Sequence, residues 1–329
     1  MVSAVSFRKT DLEEFLQNYF YKGFQSCIPL QGDAGLRSYY RIKESDDRSY
    51  ILMDCPPTYC SIDPFIEIAH YLRSQNFSSP EIFHFDSKKG FIILEDFGDV
   101  SVKNIIQNSP HDLHLRKNIY SSMLDVLILL QQNIPTFSLK IYDNNLLLNE
   151  LKLFTEWYIL YRLNRNLSII ELDDFKDIWQ RILNHQLSFN NCLVLRDYHV
   201  ENIMYLESYK GIKSLGLLDF QDAIIGSPIY DVISVLEDAR IKVPRAFALD
   251  CLKYFAAEKK LELPDVLVDY HILGAQRNLR ILGVFARKYI RDKNGNYLRY
   301  IPLVLEYLNY DLSHPIMLKL KNWFSKIIN

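Results

Sequence analysis

Cys192-Leu-Val-Leu-Arg196-Asp197-Tyr198-His199-Val-Glu-Asn202-Ile-Met-Tyr-Leu206, followed after a polar turn by Leu215-Gly-Leu-Leu-Asp219-Phe220-Gln221, decides how this chain is read. Cys192–Leu195, Asn202–Leu206 and Leu215–Asp219 are short apolar runs. Glu207-Ser208-Tyr209-Lys210-Gly211 separates the last two with the composition of a hairpin turn. The pattern predicts a strand, a loop and then a hairpin. With the turn near Lys210 and Gly211, antiparallel pairing sets Asn202 roughly opposite Asp219. An amide oxygen and a carboxylate then share one end of the hairpin, and both are hard oxygen ligands suited to Mg²⁺ carried on nucleotide phosphates. Asp197 lies five residues before Asn202, on the intervening loop, where a rigid strand at either side can hold it towards a substrate hydroxyl.

An Asp that ends a strand is, by itself, more often a turn former or a helix cap. The conjunction carries the reading: an Asp-x₄-Asn loop followed by a hairpin ending in Asp-Phe is the layout of the catalytic loop and metal-binding Asp of protein kinases. The stretch resembles the aminoglycoside phosphotransferase and choline kinase group, small-molecule kinases with a protein-kinase-like fold. It departs from the usual pattern at Leu195, where such loops carry His, and at Gln221, where protein kinases carry Gly. Neither departure touches the metal ligands.

Three further blocks narrow the resemblance. They are Gly32-Asp33-Ala34-Gly35-Leu36-Arg37-Ser38-Tyr39-Tyr40-Arg41 with Tyr50-Ile-Leu-Met53-Asp54-Cys55-Pro56-Pro57, the run from Asp219 through Gly226 and Asp231 to Leu236, and Gln276-Arg277 through Arg280 and Gly283 to Arg287. Together they are similar to the bacterial anomeric N-acetylmuramate/N-acetylglucosamine kinases over most of the chain from about Gly32 to Leu308. The resemblance implies an α+β, protein-kinase-like two-lobed fold, with a small β-rich N-lobe over 1–96 and a larger, mostly helical C-lobe over 97–329. It implies ATP and Mg²⁺, an amino-sugar acceptor phosphorylated at its C1 hydroxyl, and a role in cell-wall sugar recycling. Within that frame Asp197 is the catalytic base, Asn202 and Asp219 bind the metal, and Asp231 supports the catalytic loop.

Composition agrees. A chain of 329 residues, 49% apolar, is long enough for a well-buried core in two lobes. A net charge of −2 gives no nucleic-acid footprint. Cysteines 27, 55, 60, 192 and 251 form no CxxC pair, and reduced thiols in a cytoplasm are the simplest expectation. The N-terminus turns acidic before any long apolar run, unlike a secretion signal, and no apolar run reaches the ~20 residues of a membrane span. Composition points to no nucleic-acid or membrane partner, and the resemblance implies an amino sugar and a nucleotide as partners.

Along the chain, Thr10–Phe20 reads as an opening helix, Ile28–Asp54 as strands, and Phe65–Arg73 as a helix introduced by Asp63-Pro64. Gly32, Asp33, Ala34 and Gly35 form a hairpin tip whose backbone N–H groups can approach phosphate, an ordinary hairpin being the alternative. Phe91–Leu94 reads as a buried strand, and Glu95 and Phe97 fall where kinases hinge and pair adenine with backbone groups. Met53 occupies the third-strand position at which many kinases hold phosphates with Lys. Arg41, and second to it Arg37, is expected to take over that role, the alternative being solvation or pairing with Asp46, Asp47 or Asp54. Leu113–Gln132 and Leu146–Arg162 read as helices. Glu156 and Trp157 on the second are candidates to line an acceptor pocket, where a ring stacks on sugar C–H faces and a carboxylate accepts from hydroxyls. Arg277, on a helix spanning Asp269–Arg287, suits the lactyl carboxylate of N-acetylmuramate, while a solvated cationic face is the default for such arginines.

Other readings stay open at this level: a kinase for an aminoglycoside or a choline-like alcohol, whose cationic acceptors call for carboxylates and aromatics, and a nucleotide-binding pseudokinase, suggested by Leu195 and Met53. A protein kinase is disfavoured, because only a short step separates Asp219 from Gly226 and Asp231.

Overall fold

The computed structural model describes residues 2–30, 37–46, 48–185 and 192–328. The glycine tip, Gly32, Asp33, Ala34 and Gly35, lies outside the described residues, as does Asp47. Two compact units are present: Met1–Asn104 with Asn202–Asp222, and Ile105–Glu201 with Ala223–Asn329.

The first unit opens with α1 (Val2–Tyr19) and builds a sheet from β1 (Ser26–Pro29), β2 (Ser38–Lys43), β3 (Ser49–Asp54), β4 (Ile82–Asp86) and β5 (Phe91–Glu95). The strands lie in the order β1-β2-β3-β5-β4, and every pairing is antiparallel. Period-two alternation gives the sheet two characters. Ile42, Tyr50, Leu52, Phe91 and Ile93 point to one face and form a core with Phe15, Leu16 and Phe20 of α1. Tyr39 pairs with Met53, and Arg41 with Ile51, on the other face. Between β3 and β4 lies α2 (Asp63–Ser74), with Pro64 in its first turn and Phe65, Ile68, Ala69 and Leu72 buried. The β3–α2 connection carries a Cys55–Cys60 disulfide where reduced thiols are expected from the sequence. Its five-residue separation brings the two Cα atoms to 6.0 Å.

Later strands are numbered on from these: β6 (Cys192–Val194), β7 (Ile203–Tyr205), β8 (Leu215–Leu217) and β9 (Ile224–Gly226). Strands β7 and β8 form the expected hairpin, with a 3₁₀ turn at Gly211–Ser214. Its edges are held by Tyr205 N–H donating to Val100 O (2.8 Å) and Leu217 N–H donating to Ser78 O (2.7 Å).

The second unit is mostly helical. Strand β6 pairs with β9, and Tyr142 N–H donates to Ile225 O at 2.8 Å. Helix Ile229–Leu236 is buried along its whole length. The longest helix, Leu263–Ile290, buries sixteen of its 28 residues. Where one helix is expected over Leu146–Arg162, three pieces occur: Asn144–Glu150, a π-helical turn Phe154–Tyr158, and Ile159–Leu163. The interruption lies where this segment meets Gly283 of the long helix, at the backbone of Leu153 and Phe154. π-Turns recur at functional sites. Among the described residues no helix is long and apolar enough to cross a membrane.

A Cβ at position 283 would overlap the Leu153 carbonyl, a backbone obstacle that cannot rotate away. Gly283→Ala is therefore expected to lose about 1–3 kcal/mol of stability in urea unfolding. A variant as stable as the parent would show that this packing is not tight.

Candidate active site

The second unit presents the loop that follows β6. Asp231, fully buried at the start of helix Ile229–Leu236, accepts hydrogen bonds from Leu195 N–H (2.6 Å) and Arg196 N–H (2.9 Å). Arg196 holds φ +72°, a left-handed conformation that costs a side-chain-bearing residue on the order of 1–3 kcal/mol. Two bonds to one carboxylate, with Ser234 Oγ donating to Arg196 O at 3.4 Å, keep it there. Burial pushes the Asp231 carboxyl up to about 7, against the pull of the two amides. The next residue is Asp197, so the chain direction at that carboxylate is fixed by its neighbours.

Behind the loop, Val200 N–H donates to buried Asp238 (3.1 Å), and Arg240 is ion-paired with Glu201 and Asp238. Burial, and then Arg240, pull the His199 imidazole down to about 4. Arg196 also reaches Glu150, which accepts from Tyr142 Oη and forms an ion pair with Arg280 at 3.3 Å. Glu150 and Arg196 were not singled out as site residues from the sequence. A partner 46 residues away leaves no spacing signal. Of the acceptor candidates in this unit, Glu156 is exposed and Trp157 half-buried, both on the π-turn. Arg277 is only 4% exposed, and it exerts its charge on His199 and Asp231.

In the first unit, the β7–β8 hairpin brings Asn202 and Asp219 together. Leu218 N–H donates to Asn202 O at 3.0 Å, and Asn202 Nδ2 lies 3.3 Å from Asp219 Oδ2. Asp219 has φ +57°. It accepts from Gln221 Nε2 at 2.7 Å, and the following Phe220 is fully buried, its ring stacked on Phe65 of α2 at 4.9 Å. The Asp-Phe turn is thus anchored in the unit's core while its carboxylate stays exposed. One carboxylate and one amide, with the amide rotated to present its oxygen, suit Mg²⁺. This ion commonly takes one or two protein oxygens and completes its shell with phosphates and water. Among the described residues no group of three His, Cys, Asp or Glu side chains offers a self-sufficient metal site.

Arg41 bonds Asp99 (2.8 and 3.0 Å), Asp96 (2.9 Å) and Gly98 O (3.2 Å). None of these partners was foreseen; Asp54 pairs with Arg8 and Asp46 with Arg48 instead. Arg37 is half-buried, and its Nε is sealed from solvent with no hydrogen-bond partner among the described residues. The Glu95 carboxylate accepts from Glu81 N–H at 3.1 Å and pairs with Arg73 at 3.4 Å. The Phe97 ring lies over Gly216, where an added Cβ would come within 2.7 Å of it. Both side chains border a polar cavity of about 160 Å³ shared with Arg73 and Lys213. The Glu95 N–H also donates to Glu81 O at 2.9 Å.

Comparison with known proteins shows the family and the fold. Residues 26–263 match the model of the phosphotransferase enzyme family. The N-acetylmuramate/N-acetylglucosamine kinase of Caulobacter vibrioides is 30% identical over 91% of each chain. The enzyme of that name from Neisseria meningitidis serogroup B is 30% identical over 92% of this chain and 90% of its own. Among solved structures, ADP-bound aminoglycoside phosphotransferase APH(2'')-Ib matches with TM-score 0.63 and 14% identity, covering 92% of this chain and 98% of that one. Choline kinase LicA from Streptococcus pneumoniae matches with TM-score 0.61 and 11% identity, covering 92% and 99%. The fold is thus the protein-kinase-like α+β fold of these enzymes.

The depressed His199 imidazole gives a signed prediction. Between its ordinary 6.5 and about 4, the unfolded chain binds a proton that folded His199 refuses, so stability falls as pH drops through that window. Asp231 acts oppositely, since its raised pKa costs stability as pH rises from about 4 to 7. His199→Gln leaves the Asp231 contribution in place. It should therefore reduce the acid loss between pH 7 and 4.5 by roughly 2–3 kcal/mol in urea unfolding. An unchanged acid loss would contradict it.

Proposed function

Because this chain belongs to the phosphotransferase enzyme family, and within it to the N-acetylmuramate/N-acetylglucosamine kinases, we propose that it transfers the γ-phosphoryl group of ATP to the anomeric hydroxyl of N-acetylmuramate or N-acetylglucosamine. That it is a kinase acting on an alcohol group follows from the family itself. The observation that supports metal-dependent transfer is the convergence of Asn202 and Asp219, 3.3 Å apart, at the end of one hairpin, while the amino-sugar acceptor rests on the likeness to the N-acetylmuramate/N-acetylglucosamine kinases.

In this reading Asp197 orients the sugar hydroxyl and accepts its proton as the bond to phosphorus forms. Asn202 and Asp219 would hold Mg²⁺, which would supply positive charge against that developing on the transferred phosphoryl group. Glu95 and Phe97 contribute main-chain groups to the base, the tip Gly32, Asp33, Ala34 and Gly35 approaches the phosphates, and Arg37 and Arg41 serve the nucleotide. Glu156, Trp157 and Arg277 belong to the acceptor side, with Arg277 as the interior cation that favours an acidic sugar. Asp231 supports the loop. The products are a sugar 1-phosphate and ADP, consistent with recovery of cell-wall sugars.

Transfer of this kind depends on positioning and electrostatics, so removing one group should lower turnover without unfolding the chain. Asp197→Asn and Asp219→Ala are each expected to lose about 10²–10⁴-fold in ADP release with either amino sugar. Their unfolding midpoints should stay near the parent's. Full activity in either variant would refute its assignment. Faster ADP release with kanamycin or choline than with the two amino sugars would refute the acceptor class.

A further inference from the structure

Position 53 leaves a problem of charge. A kinase of this fold must counter the phosphates from the sheet face that carries Tyr39, Arg41 and Met53. Yet the residue expected to do so is a methionine with 0% exposure, packed between cross-strand neighbours Tyr39 and Ile92. Three cations lie along the adjoining strand in steps of two from Tyr39: Arg37 just before β2, Arg41 within it, and Lys43, exposed at its far end and paired with Ser49.

Their surroundings differ. Arg41 is committed: Asp96 and Asp99 both bond its guanidinium, and Gly98 O accepts from it as well. Two carboxylates already balance that charge, so a phosphate would have to displace them. The three partners bracket Phe97, tying β2 to the connection that follows β5. Arg37 has no carboxylate within ion-pair distance among the described residues, and its Nε is buried without a hydrogen-bond acceptor. A buried donor without an acceptor is costly, which favours a ligand that supplies one. The phenol of Tyr39 lies within the electrostatic reach of both Arg37 and Asp219. Burial first pushes that phenol up to about 12, and among the charges acting on it Arg37 pulls it down while Asp219 pushes it up. Arg37 and Asp219 therefore act on one side chain of this unit.

We propose that Arg37 is the phosphate-binding cation that substitutes for the missing third-strand lysine, and that Arg41 is a positioning residue that clasps the base-reading connection. This rests on the nucleotide-dependent reading above. A planar guanidinium offers paired N–H donors matched to phosphate oxygens. Arg37 would add its positive charge on the phosphates to that of the Mg²⁺ that Asp219 would hold. Arg41 acts on the base through Asp96, Gly98 and Asp99.

Calorimetric binding of Mg²⁺-ATP and of adenosine separates the two roles. Arg37→Ala should weaken Mg²⁺-ATP about 10- to 100-fold and leave adenosine unchanged. Retained adenosine binding doubles as the folding control, and Arg37→Lys should recover part of the loss. Arg41→Ala should weaken both ligands by the same factor. If the parent binds Mg²⁺-ATP and Arg37→Ala binds it equally well, or loses adenosine to the same extent, the assignment of Arg37 falls alone. If the parent itself does not bind Mg²⁺-ATP, the proposed function falls and takes the assignment with it.

Discussion

Two amide hydrogens on one buried carboxylate hold the loop that follows β6: Leu195 and Arg196 both donate to Asp231. Burying a carboxylate is expensive, and the rise of its pKa to about 7 expresses that cost. The two donors and nearby Arg277 pull against that rise, as does the carboxylate's place in the first turn of its helix, where negative charge is favoured. Arg196 could not otherwise keep a left-handed backbone at the step before Asp197. A short strand, β6, and a fully buried helix thus converge to aim one carboxylate, and the surrounding Glu150, Arg280 and Tyr142 fix the Arg196 side chain.

The first unit solves the same problem differently. Asp219 is itself left-handed, and its anchor is apolar: Phe220 is buried and stacked on Phe65, while Gln221 reaches back to the carboxylate. The sheet face facing away from α1 buries Met53, and of its arginines Arg41 is paired with the connection after β5, while Arg37 has no ion-pair partner among the described residues. Charge on this face is thus arranged by pairing. Arg41 was the stronger candidate when only strand alternation was visible, because alternation gives a face but not the carboxylates across from it.

What could be read from the sequence was whatever depends on local period. The strands expected over Ile28–Asp54 occur within Ser26–Asp54, the apolar run Phe91–Leu94 lies in the strand Phe91–Glu95, and the β7–β8 hairpin follows from its apolar runs and turn residues. The hairpin register came within one residue: Asn202 faces Leu218 in the ladder, and its side chain still meets Asp219. Long-range packing was not legible. Helical period alone runs straight through Leu146–Arg162, whereas the close approach of Gly283 interrupts it with a π-turn. Period also gives Arg277 a stripe on its helix but not the neighbours that leave it 4% exposed, far from a solvated face. The Glu150–Arg196 pair and the pairing of β6 with β9 span the chain and carry no motif.

The measurement that tests the central claim most directly is phosphorus NMR of the product formed from Mg²⁺-ATP and N-acetylmuramate. A sugar 1-phosphate, its phosphorus coupled to the anomeric proton, is the predicted result. A phosphate ester on any other carbon, or ATP consumed with no sugar phosphate formed, would contradict it.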